Sequence, residues 1–421
     1  MAVFWTVLAY LFSILCLILN VSLFIRLKPP YSFYFVPFQL MAAALAPFLV
    51  ILGGMGAVLG GVFHAPLAMA AGLLGTAISI VYMILVTLPQ RGFEKAFGKD
   101  WETRIPASEK SRLSPRRWQI GLAKIKEPYF DQNIPFWTIP GGNRKLLCDI
   151  WQPPDGVERS GLALVYLHGS AWYLLDKDFG TRPLFRQLAA QGHVIMDVAY
   201  RLCPEVDIYE MVGDAKRAVA WMKSNAGKYG VNPERIVLGG ASAGGHLALL
   251  AGYTPDHPQL SPGELQGRDL SVRAVVSYYG PTDLKACYQH TNQARLVDLP
   301  KVEIGLPGSA TMKKDATQAG RLDVLLGGHL HEIPEIYALA SPVAHINPDC
   351  PPTLLVQGES DIITPAAATR ELHQKLVQCG VATVNIIYPL TNHAFDLLLP
   401  QVSPSSQAAL YDLERFLALA V

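Results

Sequence analysis

The residues with the most chemical content lie in Gly239-Gly240-Ala241-Ser242-Ala243-Gly244-Gly245-His246. This G-x-S-x-G pattern follows the apolar run 236–238 and precedes the helix-forming run 247–251. Strand, tight turn and helix give the pattern mechanical meaning: small neighbours let the chain turn sharply and hold a strained serine with its hydroxyl exposed. Ser242 is the candidate nucleophile. The helix after it aims free N–H groups and its positive dipole end at developing negative charge.

A serine hydroxyl is a weak nucleophile and needs a base, itself oriented by a carboxylate. On such a turn the partners follow in the order acid, then histidine. Pro352-Thr353-Leu354-Leu355-Val356-Gln357-Gly358-Glu359-Ser360-Asp361 reads as a strand ending in a polar turn, with Asp361 the better acid and Glu359 second. Ile386-Ile387-Tyr388 leads to Leu390-Thr391-Asn392-His393, so His393 follows the last strand, where the base belongs. A histidine is ordinarily just a polar residue, and the chain has 11; His329, His331 and His345 lack a preceding strand.

A further strand, 162–167, runs into His168-Gly169-Ser170-Ala171-Trp172. This resembles the HGGG-type loop of lipases and esterases, whose backbone N–H groups hold an oxyanion together with the residue after the nucleophile. The resemblance implies donors at Gly169, Ser170 and Ala243. Ser170 and Ala171 stand where the pattern has glycines, which predicts a narrower acyl pocket or altered loop dihedrals. His168 is expected to brace the loop rather than act as a base. The segment 197–205, Asp-Val-Ala-Tyr-Arg-Leu-Cys-Pro-Glu, resembles a D-Y-R-L-A-P-E segment, and 279–284 with Ser341-Pro342 fits habitual turns of the same family.

Taken together, residues 129–421 resemble the hormone-sensitive-lipase-like and bacterial carboxylesterase branch of the α/β-hydrolase superfamily. The resemblance implies an acyl-enzyme formed at Ser242, with His393 taking the proton and Asp361 orienting it, and no metal or organic cofactor. It also implies a cap at about 287–335.

The elements that must position these residues are short. Strand candidates are 162–167, 194–198, 236–238, 274–278, 353–356 and 384–388, several of them continuously apolar, as strands buried on both faces must be. Val212, Ala215, Val219 and Met222 recur at helical spacing and form one apolar stripe. Alternating β and α elements imply a mostly parallel sheet covered by helices, with its chemistry at the carboxyl ends of the strands.

Before this domain the composition changes. Of 421 residues, 51% are hydrophobic and 16% charged, and the excess sits in three uncharged stretches, 2–25, 36–62 and 66–88. Each exceeds the roughly 20 helical residues that cross about 30 Å of hydrocarbon. A signal peptide does not explain the first, which lacks a basic leader and is followed by two more stretches. Three transmembrane helices in a membrane domain, 1–90, are therefore expected. Gly56 and Gly60 form a small-xxx-small pair, readable as a homo-oligomer face or as packing within the bundle.

Arg26 and Lys28 follow the first stretch and ten Lys or Arg from Arg91 to Lys126 follow the third, while only His64 lies between the second and third. The positive-inside rule then predicts a cytoplasmic C-terminal domain, reached through a basic juxtamembrane linker, 91–128. That linker reads either as lying on an anionic lipid surface or as plainly solvated.

A net charge of +1 points to no nucleic-acid partner. Six scattered cysteines without a C-x-x-C pair read as free thiols rather than a disulfide framework or zinc site. The leading expectation is hydrolysis of a small-molecule or lipid carboxylic ester at a membrane. The same parts would serve an amide-cleaving enzyme akin to arylacetamide deacetylases or kynurenine formamidases. A ligand-binding protein on a hydrolase scaffold ordinarily lacks a triad member, and a transporter would need ionisable residues that the three stretches lack.

Overall fold

The computed structural model describes residues 1–27, 31–121, 124–169, 171–291 and 322–420. Most of the expected cap, residues 292–321, lies outside them.

Eight strands form one sheet in the order β1-β2-β4-β3-β5-β6-β7-β8. They are β1 Tyr129–Thr138, β2 Lys145–Gln152, β3 Ala163–Leu167, β4 Val194–Val198, β5 Ile236–Ala241, β6 Ala274–Tyr278, β7 Thr353–Gly358 and β8 Thr383–Tyr388. From β4 to β8 every pairing is parallel, and β1 and β2 add an antiparallel edge. The six expected strands form. β1 and β2 were not anticipated: β1 is mostly exposed and interrupted by Pro135, so it lacks the apolar signature of its neighbours.

Alternation along the strands splits the core between the two faces. Val165, Leu238, Val275 and Leu355 pack with helices α6 (Ile208–Ser224), α7 (Ala243–Tyr253) and α8 (Ala366–Gln378). The expected stripe of α6 is buried there, and Asp207 caps its N-terminus by accepting the Glu210 N–H. Leu164, Val237, Val276 and Leu354 face the other way, toward α5 (Arg182–Ala190) and α9 (Pro404–Ala420).

The N-terminal region comprises α1 (Ala2–Ser22), α2 (Val36–Ala44), α3 (Ala46–Val62) and α4 (Pro66–Thr87). By length and composition, Ala2–Ser22 and Pro66–Phe97 are long and apolar enough to cross a membrane. The stretch 36–62 is not one helix. It breaks between α2 and α3, which are bent by 84°, and counts as a third span only if the pair is taken together. Pro47, in the first turn of α3, explains the break: it has no N–H to offer Ala43, and its ring crowds the preceding turn.

Gly56 and Gly60 are buried within this bundle. A Cβ on Gly56 would stand 2.4 Å from Ser13 Oγ of α1, and one on Gly60 would stand 2.6 Å from Met69 N of α4. Nor is the bundle separate from the sheet. Cys16, Leu23, Ala43, Tyr82 and Val86 belong to the same apolar cluster as Leu354, Ile386 and Phe416.

The basic segment after α4 docks on α9 and does not run free. Arg117 holds Asp412 through two hydrogen bonds of 2.5 and 2.6 Å, and Ser114 N and Oγ donate to Glu414. Both carboxylates are fully buried, so these partners offset a desolvation that would otherwise be severe.

Candidate active site

Ser242 stands between β5 and α7 with φ 52° and ψ −121°, in a region that L-residues rarely adopt. Its N–H donates to Tyr278 O at 2.8 Å, which locks the turn to β6. The flanking glycines are required by space. A Cβ on Gly244 would stand 2.0 Å from Leu167 O, and one on Gly240 would stand 2.5 Å from Gly244 C. The turn is thus pressed against the end of β3, which carries the proposed oxyanion loop.

Asp361 and His393 come from the turns after β7 and β8 and meet Ser242 at the carboxyl edge of the sheet. His393 Nδ1 lies 2.8 Å from Asp361 Oδ2, and His393 Nε2 lies 2.9 Å from Ser242 Oγ. Both distances are within hydrogen-bond reach. Glu359 is not part of this set; its exposed carboxylate pairs with Arg370.

Asp361 is buried, which by itself raises a carboxyl pKa. The charge and hydrogen bond of His393 and the hydrogen bonds of Thr364 outweigh burial and hold it below the usual carboxylate range. Gln357 Nε2 and Thr364 Oγ1 donate to Oδ2 at 2.7 and 2.8 Å, while the N–H groups of Ile363 and Thr364 donate to Oδ1. Tyr279 supports the other partner. Its ring centroid is 4.5 Å from that of His393, and its hydroxyl donates to Asp396 at 2.5 Å. These supports escaped sequence reading, although Gln357 left a signal as a polar residue inside an otherwise apolar strand.

Of the expected oxyanion donors, Ser170 lies outside the described residues. Gly169 lies against the serine turn, where a Cβ would stand 3.3 Å from Ser242 Cβ. Ala243 is the first residue of α7, so its N–H has no acceptor within the helix. Beyond them Ala171 and Trp172 adopt φ of 49° and 66°, left-handed values that usually call for glycine. The indole of Trp172 holds them there by donating to His246 Nδ1 at 3.2 Å, and His246 Nε2 in turn donates to Ala340 O at 2.7 Å.

His168 braces the loop, stacked on Tyr200 at 4.5 Å, and the Tyr200 hydroxyl donates to His168 O. Burial pushes its imidazole down to about 4, which suits a structural role. No cluster of His, Cys, Asp and Glu suited to a metal occurs among the described residues, and all six cysteines are free.

This sheet, with a serine, a histidine and an aspartate converging at its carboxyl edge, defines an α/β-hydrolase of the hormone-sensitive-lipase-like carboxylesterase branch. A family profile matches residues 148–376, and the chain belongs to the BD-FAE family. The esterase LipQ of Mycobacterium tuberculosis is 30% identical over 311 residues, covering 72% of this chain and 68% of that protein. The probable carboxylic ester hydrolase LipM of the same organism is 32% identical over 255 residues, 59% of this chain and 53% of LipM. The chain thus spans only part of the length of these relatives. Among solved structures, a bifunctional GH43-CE protein of Bacteroides eggerthii superposes with a TM-score of 0.52 at 19% identity, over 68% of this chain and 35% of that one, a likeness of fold.

Proposed function

We propose that this protein is a membrane-anchored serine esterase in which Ser242, His393 and Asp361 act as a catalytic triad. The observation that carries the reading is the unbroken line of hydrogen-bond distances, 2.8 and then 2.9 Å, from Asp361 through His393 to Ser242. The ester-hydrolysing names of its relatives support the reaction class.

In this mechanism Ser242 Oγ attacks the ester carbonyl carbon as its proton passes to His393 Nε2. Asp361 accepts the Nδ1–H and stabilises the imidazolium without taking the proton. The N–H groups of Gly169 and Ala243 receive the oxyanion. Collapse breaks the bond to the alcohol, which leaves with the proton from Nε2, and the acyl group stays on Ser242. Water, deprotonated by His393, then releases the acid and restores the serine.

The apolar helices anchor the enzyme, and their common core with the sheet favours a lipophilic carboxylic ester that reaches the site from the bilayer. The basic residues after α4 support a cytoplasmic position for the hydrolase domain. Purified full-length protein should cleave short p-nitrophenyl esters and react with a fluorophosphonate at Ser242, and Ser242→Ala should do neither. An unlabelled Ser242 in folded protein that still hydrolyses esters would refute the assignment. Protease added outside sealed cytoplasm-in vesicles should spare the hydrolase domain; its digestion there would reverse the orientation.

A further inference from the structure

The loop that carries His393 is held from outside the hydrolase domain. Asn392 is 2% exposed, and its Oδ1 accepts the N–H of His393 at 2.7 Å and of Ile362 at 3.3 Å, so one side chain joins the base loop to the acid loop. Its Nδ2 is left to donate, and does so to Gln39 Oε1 of α2 at 2.6 Å. Gln39 is 6% exposed, and its own Nε2 donates to Ser22 O and Ile25 O at 3.0 Å each, at the C-terminal end of α1. Neither amide can flip without turning donors onto donors or acceptors onto acceptors. A second contact runs beside the first: Tyr82 OH of α4 lies 3.3 Å from Thr391 Oγ1. Two N-terminal helices therefore grip the two residues that precede His393.

The helix that presents Gln39 is also the one that breaks away from α3, and it leaves Phe38 and Met41 exposed. A buried amide on so apolar a segment is costly unless every polar atom is matched, and here each finds a partner. The Nε2 of Gln39 serves the end of α1, while its Oε1 is given to Asn392.

We propose that Gln39 is a positioning residue for His393, acting through Asn392, so that the arrangement of the N-terminal helices sets the rate of the chemical step. This rests on the reading of His393 as the base. Gln39 touches neither ester nor triad; it fixes where the imidazole stands relative to Ser242 Oγ. A shift of about 1 Å in such a group can lower turnover on the order of a hundredfold. Because the acyl and alcohol sites are untouched, the loss belongs in kcat and not in KM.

The test uses the full-length protein in detergent micelles with p-nitrophenyl butyrate, and kcat is expressed per site titrated with a fluorophosphonate, which removes misfolded protein from the count. Gln39→Met keeps the size and removes the amide. It should lower kcat about tenfold or more, leave KM within about twofold, and slow fluorophosphonate labelling by the same factor. Asn392→Asp leaves α2 intact, still accepts both N–H groups and cannot donate to Gln39. It should lower kcat comparably, and combining it with Gln39→Met should add little. Ser79→Ala removes the 2.9 Å bond from Ser79 to Asn20 inside the same bundle and should leave kcat unchanged. Gln39→Met with kcat within about twofold of the parent, a loss no larger than that of Ser79→Ala, or an effect confined to KM would overturn the proposal. Hydrolysis surviving in Ser242→Ala would instead remove the triad reading beneath it.

Discussion

At the scale of single residues, Asp361 does two jobs with one carboxylate: Oδ1 caps the turn at Ile363 and Thr364, while Oδ2 faces His393. Asp361→Asn would present an amide to the imidazole and favour the wrong tautomer. It should lower kcat about 10⁴-fold with KM nearly unchanged, measured on a short ester. Glu359→Gln, at an exposed pair with Arg370, should leave kcat within about twofold.

His246 supplies a pH prediction. Burial pushes its imidazole down to about 4 against a hydrogen bond to Ala340 that raises it. The fold therefore keeps it neutral, while the unfolded chain takes up a proton below about 6.5. Its contribution to stability is full above that pH and is lost as pH falls toward 4, about 3 kcal/mol in all. His246→Gln can donate to Ala340 O and accept from Trp172 without titrating. Unfolding followed from pH 7 to pH 4 should show the variant gaining on the parent by about that amount; a constant gap would contradict the assignment. Ser242, Asp361 and His393 were readable because each follows a strand in a fixed order. Tyr279 and Gln39 were not, because their roles exist only through contacts across the fold.

Elements tell a different story. The run 36–62 contained its own warning in Pro47, yet absence of charge outweighed it, and one expected helix became two. The charge of segment 91–128 points only to an anionic lipid surface or a plainly solvated linker, because its partners Asp412 and Glu414 lie some 300 residues away. Arg117 now stands as the counter-charge of a buried carboxylate. Arg117→Ala should destabilise the protein by roughly 3–5 kcal/mol, read as a lowered unfolding midpoint in the same detergent. A shift no larger than that of an exposed arginine such as Arg116 would show that the strap bears no weight. β1 stayed hidden for the converse reason: on an exposed antiparallel edge strand, the pattern of apolar residues fades.

The molecule as a whole is tied together by the far face of its sheet. Val276, Leu354 and Ile386 lie in one apolar body with Cys16, Ala43 and Tyr82, so helices that read as a mere anchor also form a wall of the enzyme. Starting the chain at Tyr129 would take away both that wall and the strap on α9, leaving greasy side chains and two buried acids open to water. Such a shortened protein should scatter light and clump at concentrations where the full chain in detergent stays clear. For anyone seeking a convenient soluble version, the scissors fall in the wrong place.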